Sequence, residues 1–200
     1  MRLYPKLTWH KNRMNKAIYL TFDDGPIPGP TEFVLDTLGA FDAKATFFCV
    51  GDNVRKHSAI FQRILAEGHS VGNHTFNHKN GWKTNDIDYL ENVNKGYQVL
   101  LEHGGTAVKS RLFRPPYGKI KRSQIRSLRP KTDIVMWEVL SGDFDTDLPA
   151  AQCLQRSIRA STAGAIVVFH DSLKAEASLR YTLPRYMEHF QAEGYTFDRL

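Results

Sequence analysis

Short apolar, β-branched or aromatic runs alternate with helix-patterned stretches along the whole chain, and this alternation limits the possible folds more than any other feature. Runs at 17–22, 45–50, 70–73, 111–113, 133–139, 165–169 and 195–197 have the length and residue types of buried strands. Between them, 31–38, 53–67, 86–103, 122–128, 149–161 and 177–193 read as helices. In 53–67 the apolar stripe is Val54, Ile60, Phe61, Ile64 and Leu65, at helical period, and Gly68 stops it. Strands that alternate with helices imply βαβ units and a parallel sheet, so the fold class is α/β. Periodicity alone does not choose between an open doubly wound sheet and a closed barrel. In both, a functional site gathers at the carboxyl ends of the strands.

No repeat, linker or low-complexity tract divides the 200 residues, so a single domain over 1–200 is expected. No run of eighteen or more apolar residues exists, so no transmembrane helix is expected. Residues 1–7 lack the apolar core of a signal peptide. The expectation is a cytoplasmic chain, or an exported one whose targeting segment lies outside this sequence. Cys49 and Cys153 make no disulfide framework and read as small packing residues. The net charge of +6 reads as a basic surface that permits an anionic partner. No dense basic block with interleaved aromatics stands out, so nucleic acid is not an expected partner.

Unusual polar residues cluster just after the strands. The first strand runs into Thr21-Phe22-Asp23-Asp24-Gly25-Pro26. Adjacent acids repel and desolvate badly, so burying both calls for a cation. His74 follows the third strand, with His78 four residues on; a helical turn would put both imidazoles on one side. With Asp24 they would make three ligands and an open position, the pattern of a catalytic metal site. Water at that position loses a proton more easily, its pKa falling towards ~7, and Asp23 could take that proton.

Arg114-Pro115-Pro116-Tyr117-Gly118 is a second stiff loop. Arg114 could orient Asp23 and lower its pKa, and the Tyr117 N–H could face a developing oxyanion. Ile166-Val167-Val168-Phe169-His170-Asp171 ends an apolar strand on an imidazole. His170 there can act as general acid if a carboxylate keeps it charged. Asp143 is the candidate partner, with Asp145, Asp147 and Asp171 as rivals. His10, His57, His69, His103 and His189 have no such context and read as structural or surface residues. Trp82, Trp137, Phe76 and Tyr117 could stack on sugar rings, although such aromatics are commonly core.

Taken in order, Thr21-Phe22-Asp23-Asp24-Gly25-Pro26, His74-Thr75-Phe76-Asn77-His78, Arg114-Pro115-Pro116-Tyr117, Ser141-Gly142-Asp143-Phe144 and Val168-Phe169-His170 resemble the polysaccharide deacetylases of carbohydrate esterase family 4, the NodB-homology domain. The resemblance covers about 17–198. It implies a distorted (β/α)7-type barrel with mostly parallel strands, and metal-dependent removal of N-acetyl, or O-acetyl, groups from a poly- or oligosaccharide. It implies Asp23 as base, Asp24, His74 and His78 as metal ligands, Arg114 as the tether of Asp23, Tyr117 as oxyanion donor, and His170 as acid tuned by Asp143. Substrate contacts would come from Pro116, Tyr117, Phe144, Val168 and Trp137. The metal would be zinc, with cobalt, nickel or manganese as alternatives, and the partner an acetylated glycan met by a monomer.

Two positions depart from the family pattern. Phe144 stands where Trp is frequent, and Val168 where Leu is frequent. Both keep an apolar wall and leave pocket size open. The alternatives are an amidase for a small non-sugar amide and a glycan-binding module without turnover. Acetate release would separate them.

Overall fold

The computed structural model describes residues 7–108 and 111–200. The signal-peptide reading rested mainly on residues 1–6, which lie outside the described residues. Strands β1 (Ala17–Asp23), β2 (Thr46–Cys49), β3 (Ser70–Asn73), β4 (Leu112–Phe113), β5 (Asp133–Ile134), β6 (Val139–Leu140), β7 (Ile166–His170) and β8 (Thr196–Phe197) form one sheet. Its order is β5-β4-β3-β2-β1-β7-β6, with β8 beside the start of β1. Every strand pair is parallel.

The expected strand over 133–139 is two strands, and the split makes the barrel. β5 pairs with β4 at one edge of the sheet and β6 pairs with β7 at the other. Only residues 135–138 join them, a stretch too short to cross a flat sheet. The sheet therefore curls until its edges share one crossing segment. Val135 N–H still donates to Phe113 O, while Glu138 N–H donates to Ile166 O. This is the distorted (β/α)7 barrel that the resemblance implied.

Helices α1 (Pro30–Ala40), α2 (Gly51–Lys56), α3 (Ser58–Ala66), α4 (Asp86–Gly104), α5 (Arg122–Leu128), α6 (Ala150–Ala160) and α7 (Glu176–Ala192) cover the sheet. The expected helix over 53–67 breaks at His57, whose φ of −127° and ψ of 47° leave the helical region. His57 N–H closes α2 on Asn53 O, and its carbonyl opens α3 by accepting from Ile60 and Phe61. The apolar stripe survives the break, with Val54, Phe61 and Ile64 all buried.

The main core packs Phe22, Phe47, Val71, Val167 and Phe169 from the strands against Leu35, Phe61, Leu183 and Tyr186 from the helices. Cys49 and Cys153 are free and buried, as packing residues should be. No described helix is long and apolar enough to cross a membrane.

Candidate active site

Strand register decides which polar groups meet. Asp23 and His170 face each other across β1 and β7. Asn73 and Phe113 are in register across β3 and β4, so His74 and Arg114, the next residue of each, leave the sheet side by side. The strand ends thus bring together groups that are far apart in sequence.

Arg114 is the largest fully buried side chain, and its partners explain how a cation survives there. One guanidinium nitrogen donates to Asp23 Oδ1 and Thr21 Oγ1, both at 2.7 Å. The others reach Met136 O at 3.0 Å and Val135 O at 3.4 Å. The guanidinium also lies 4.1 Å from the ring centre of Phe48. Burial pushes the Asp23 carboxyl up, but Arg114, His74 and His170 outweigh it and hold it below the usual carboxylate range. Asp23 is therefore ionised, with one oxygen tethered and Oδ2 3.9 Å from His74 Nε2.

The second aspartate points elsewhere because its backbone does. Asp24 has φ 89°, in the left-handed region, with its carbonyl held by Asn53 Nδ2 at 2.7 Å. Four of the five non-glycine positive-φ residues among those described, Asp24, Thr75, His78 and Tyr117, surround this site. Backbone strain of this kind collects where geometry is over-determined.

Asp24, His74 and His78 each bring one ligand atom to within 4.8 Å of the others. The histidines get there without the helical turn expected from their spacing. Residues 74–78 form an irregular loop, with φ of 65° at Thr75 and 54° at His78. Asn92 Oδ1 holds that loop by accepting from the N–H groups of Phe76 and Asn77, both at 3.0 Å. His74 Nδ1 must carry its proton, because it sits 2.8 Å from the Arg114 carbonyl. Nε2 is left with a lone pair aimed at the cluster. Burial first, then the neighbouring His78, lower the His74 pKa to about 4, so its imidazole is neutral, the form that metal binding requires.

Asp24 Oδ1 completes the fit for a cation. It is buried with no hydrogen-bond partner although His78 Nε2 is only 3.2 Å away. A buried carboxylate oxygen left without a hydrogen bond beside two imidazoles is what a divalent metal satisfies.

Across the cleft His170 Nδ1 donates to Asp143 Oδ1 at 2.8 Å, and the His170 backbone N–H donates to Asp143 Oδ2 at 2.7 Å. Burial lowers the His170 pKa, but Asp143 and then Asp23 and Asp24 outweigh it and raise it to about 9. The rivals are placed elsewhere. Asp145 and Asp147 belong to an exposed turn. Asp171 turns to the first loop, where Oδ1 accepts from Gly25 N–H at 2.9 Å and Oδ2 from Thr31 at 2.6 Å.

The cleft between these groups is about 440 Å³. Tyr117, Trp137, Phe144 and Val168 line it with the polar residues. Pro116 does not; it is buried beneath the turn that carries Tyr117. That turn bonds its Gly118 and Lys119 N–H groups internally, to Pro115 O and Pro116 O. Phe76 is core and Trp82 is exposed outside the cleft, so neither stacks here. Leu140, Lys119, Ser172 and Lys174 also line the cleft, and no sequence motif contains them. For these, nearness to a motif was the only available signal.

The sequence profile of the family described as polysaccharide deacetylase matches residues 10–131. The chain belongs to the polysaccharide deacetylase family. That family, carbohydrate esterase family 4, is divalent-metal dependent, in keeping with the Asp/His/His cluster. A peptidoglycan-N-acetylglucosamine deacetylase of Bacillus cereus is 36% identical over 160 residues, 79% of this chain and 57% of that protein. The chain thus spans little more than half of that relative's length. The crystal structure of a peptidoglycan N-acetylglucosamine deacetylase superposes with a TM-score of 0.90 at 29% identity, covering 97% of this chain and 90% of that one. A pseudoenzyme of the same family from Bacillus anthracis superposes at 0.86 with 23% identity, covering 99% of this chain and 68% of that one. A polysaccharide deacetylase fold is therefore not enough to argue turnover, and the site must carry that argument.

Proposed function

We propose that this chain is a metal-dependent deacetylase that removes N-acetyl groups from the amino sugars of a glycan, with N-acetylglucosamine of peptidoglycan as the favoured substrate. The observation that carries the reading is the division of labour between the two aspartates. Asp24 faces His74 and His78, while Asp23 is held by Arg114 opposite an Asp143-bound His170. A divalent cation held by Asp24, His74 and His78 would polarise the amide carbonyl and lower the pKa of a water, and two imidazoles with one carboxylate suit zinc first.

Asp23 accepts that water's proton on Oδ2, since Oδ1 is tied to Arg114. The Tyr117 N–H donates to the carbonyl oxygen as negative charge builds there. His170 Nε2, protonated because Asp143 stabilises the imidazolium, gives its proton to the sugar nitrogen as the C–N bond breaks. Acetate and a free amine leave. Phe144 and Val168 wall the space for the acetyl methyl, and Trp137 and Tyr117 offer faces to the sugar.

The test is acetate release from peptidoglycan and from N-acetylated chito-oligosaccharides. The protein would be stripped by chelation and reloaded with zinc, with Asp23→Asn as control. Activity that returns with metal and is absent from the control supports the reading. Stoichiometric metal with no acetate from either substrate refutes it.

A further inference from the structure

The chain's surplus charge is concentrated in one short surface segment rather than spread over a basic surface. Residues 119–131 hold Lys119, Lys121, Arg122, Arg126, Arg129 and Lys131 and no acid. The chain has 27 lysines and arginines; the 21 outside this segment balance its 21 acids, so the segment accounts for the whole net charge of +6.

Local structure gives no reason for this arrangement. Arg122, Arg126 and Arg129 fall at i, i+4 and i+7, along one exposed side of α5 and its end. Like charges at that spacing repel, and Arg122 sits at the helix end that disfavours cations. Among the described residues, none of the three meets an acid. Together with Ile125 and Pro130 they line a shallow groove of about 510 Å³.

The segment starts in the active cleft, which Lys119 lines. Lys119 Nζ lies 5.6 Å from the ring centre of Trp82, an indole 58% exposed. Trp82 Nε1 donates to Ile120 O at 3.2 Å, so that ring is a fixed platform. From cleft to α5 the surface therefore offers an aromatic face beside a cation, then a row of unpaired guanidiniums.

We propose that Trp82 and the Arg122–Arg126–Arg129 row form a docking track for an anionic stretch of the glycan chain whose amino sugar occupies the cleft. An aromatic face stacks on a sugar ring, and guanidiniums pair with carboxylates in bidentate fashion. The track rests on the deacetylase reading but lies outside the catalytic residues.

The experiment compares the native holoenzyme with an Arg122→Gln/Arg126→Gln/Arg129→Gln variant and with Trp82→Ala. Binding to carboxylate-bearing peptidoglycan and to neutral chitin is read by co-sedimentation. Turnover is read on peptidoglycan and on a short neutral chito-oligosaccharide. Thermal melting checks that each variant folds. The triple variant should raise the apparent Kd and the KM for peptidoglycan about tenfold, with kcat and short-oligomer turnover unchanged. Added salt should weaken native binding to peptidoglycan and barely affect the triple variant. Trp82→Ala should weaken binding to both polymers. Unchanged peptidoglycan binding in the triple variant, or an equal loss on the short oligomer, overturns the track. So does competition by DNA as effective as that by soluble peptidoglycan. If native protein released no acetate from either substrate, the deacetylase reading would fail, while sedimentation would still judge the track.

Discussion

Replacing Asp143 with asparagine isolates one electrostatic interaction without changing shape. The native carboxylate accepts from both the ring and the backbone of His170, at 2.8 and 2.7 Å, and is itself buried. Burial alone would push His170 below its ordinary 6.5, yet it is raised to about 9, mainly by Asp143. At neutral pH the native imidazole is thus charged and can serve as the acid. Activity should hold until pH rises through the folded pKa and fall beyond it, because the general acid is then lost. A cation at the metal site would offset the contributions of Asp23 and Asp24, leaving Asp143 as the dominant support. In Asp143→Asn, burial prevails and the alkaline limb should move from well above pH 7.5, at most about 9 with a cation bound, to below 6.5. Each pH unit of that movement corresponds to about 1.4 kcal/mol of lost imidazolium stabilisation. At pH 7.5 fewer than roughly one molecule in ten would carry the proton, so kcat/KM should fall at least tenfold. It should recover as the assay pH is lowered, within the limits of the base. The assay is acetate release against pH for both proteins, with metal content verified. An alkaline limb that stays in place while kcat falls would show that Asp143 acts otherwise than by charging His170.

Four other outcomes are expected. Asp24→Ala, or His74→Ala with His78→Ala, should abolish stoichiometric metal binding measured by elemental analysis, because too few donors remain. Arg114→Met should lower stability by roughly 3–5 kcal/mol in urea unfolding, since it strands the buried Asp23 carboxylate; an added Asp23→Asn should recover much of that loss. Asp171→Ala should cost about 2 kcal/mol by thermal or urea unfolding, because it leaves the Gly25 N–H and the Thr31 hydroxyl short of a buried acceptor. Phe144→Ala should enlarge the cleft wall and remove the edge-on ring 4.9 Å from His170, lowering kcat for N-acetyl substrates more than it raises KM.

The sequence by itself determined the class of the fold and the chemistry available to it. Strand and helix periods differ, so the alternation was legible, and so was the address of every polar motif after a strand. Residue types also narrowed the candidates for a metal cluster, because few side chains bind a divalent cation or titrate near neutrality, and Asp24, His74 and His78 do come together. Tertiary structure decided the rest. The stretch 133–139 reads as one strand because local pattern cannot show which neighbours it meets, and it meets opposite edges of the sheet. The His74–His78 spacing suggests a helix, but Asn92 and left-handed torsions at Thr75 and His78 converge the rings without one. Sequence reading names Asp143 as the partner of His170 but leaves Asp171, its neighbour in the chain, as a rival; packing removes that rival by turning Asp171 to Gly25 while Asp143 bonds His170. The two aspartates carry the same side chain and lie side by side in sequence. Only the fold makes them different, by placing a buried guanidinium against one and a left-handed backbone turn beneath the other.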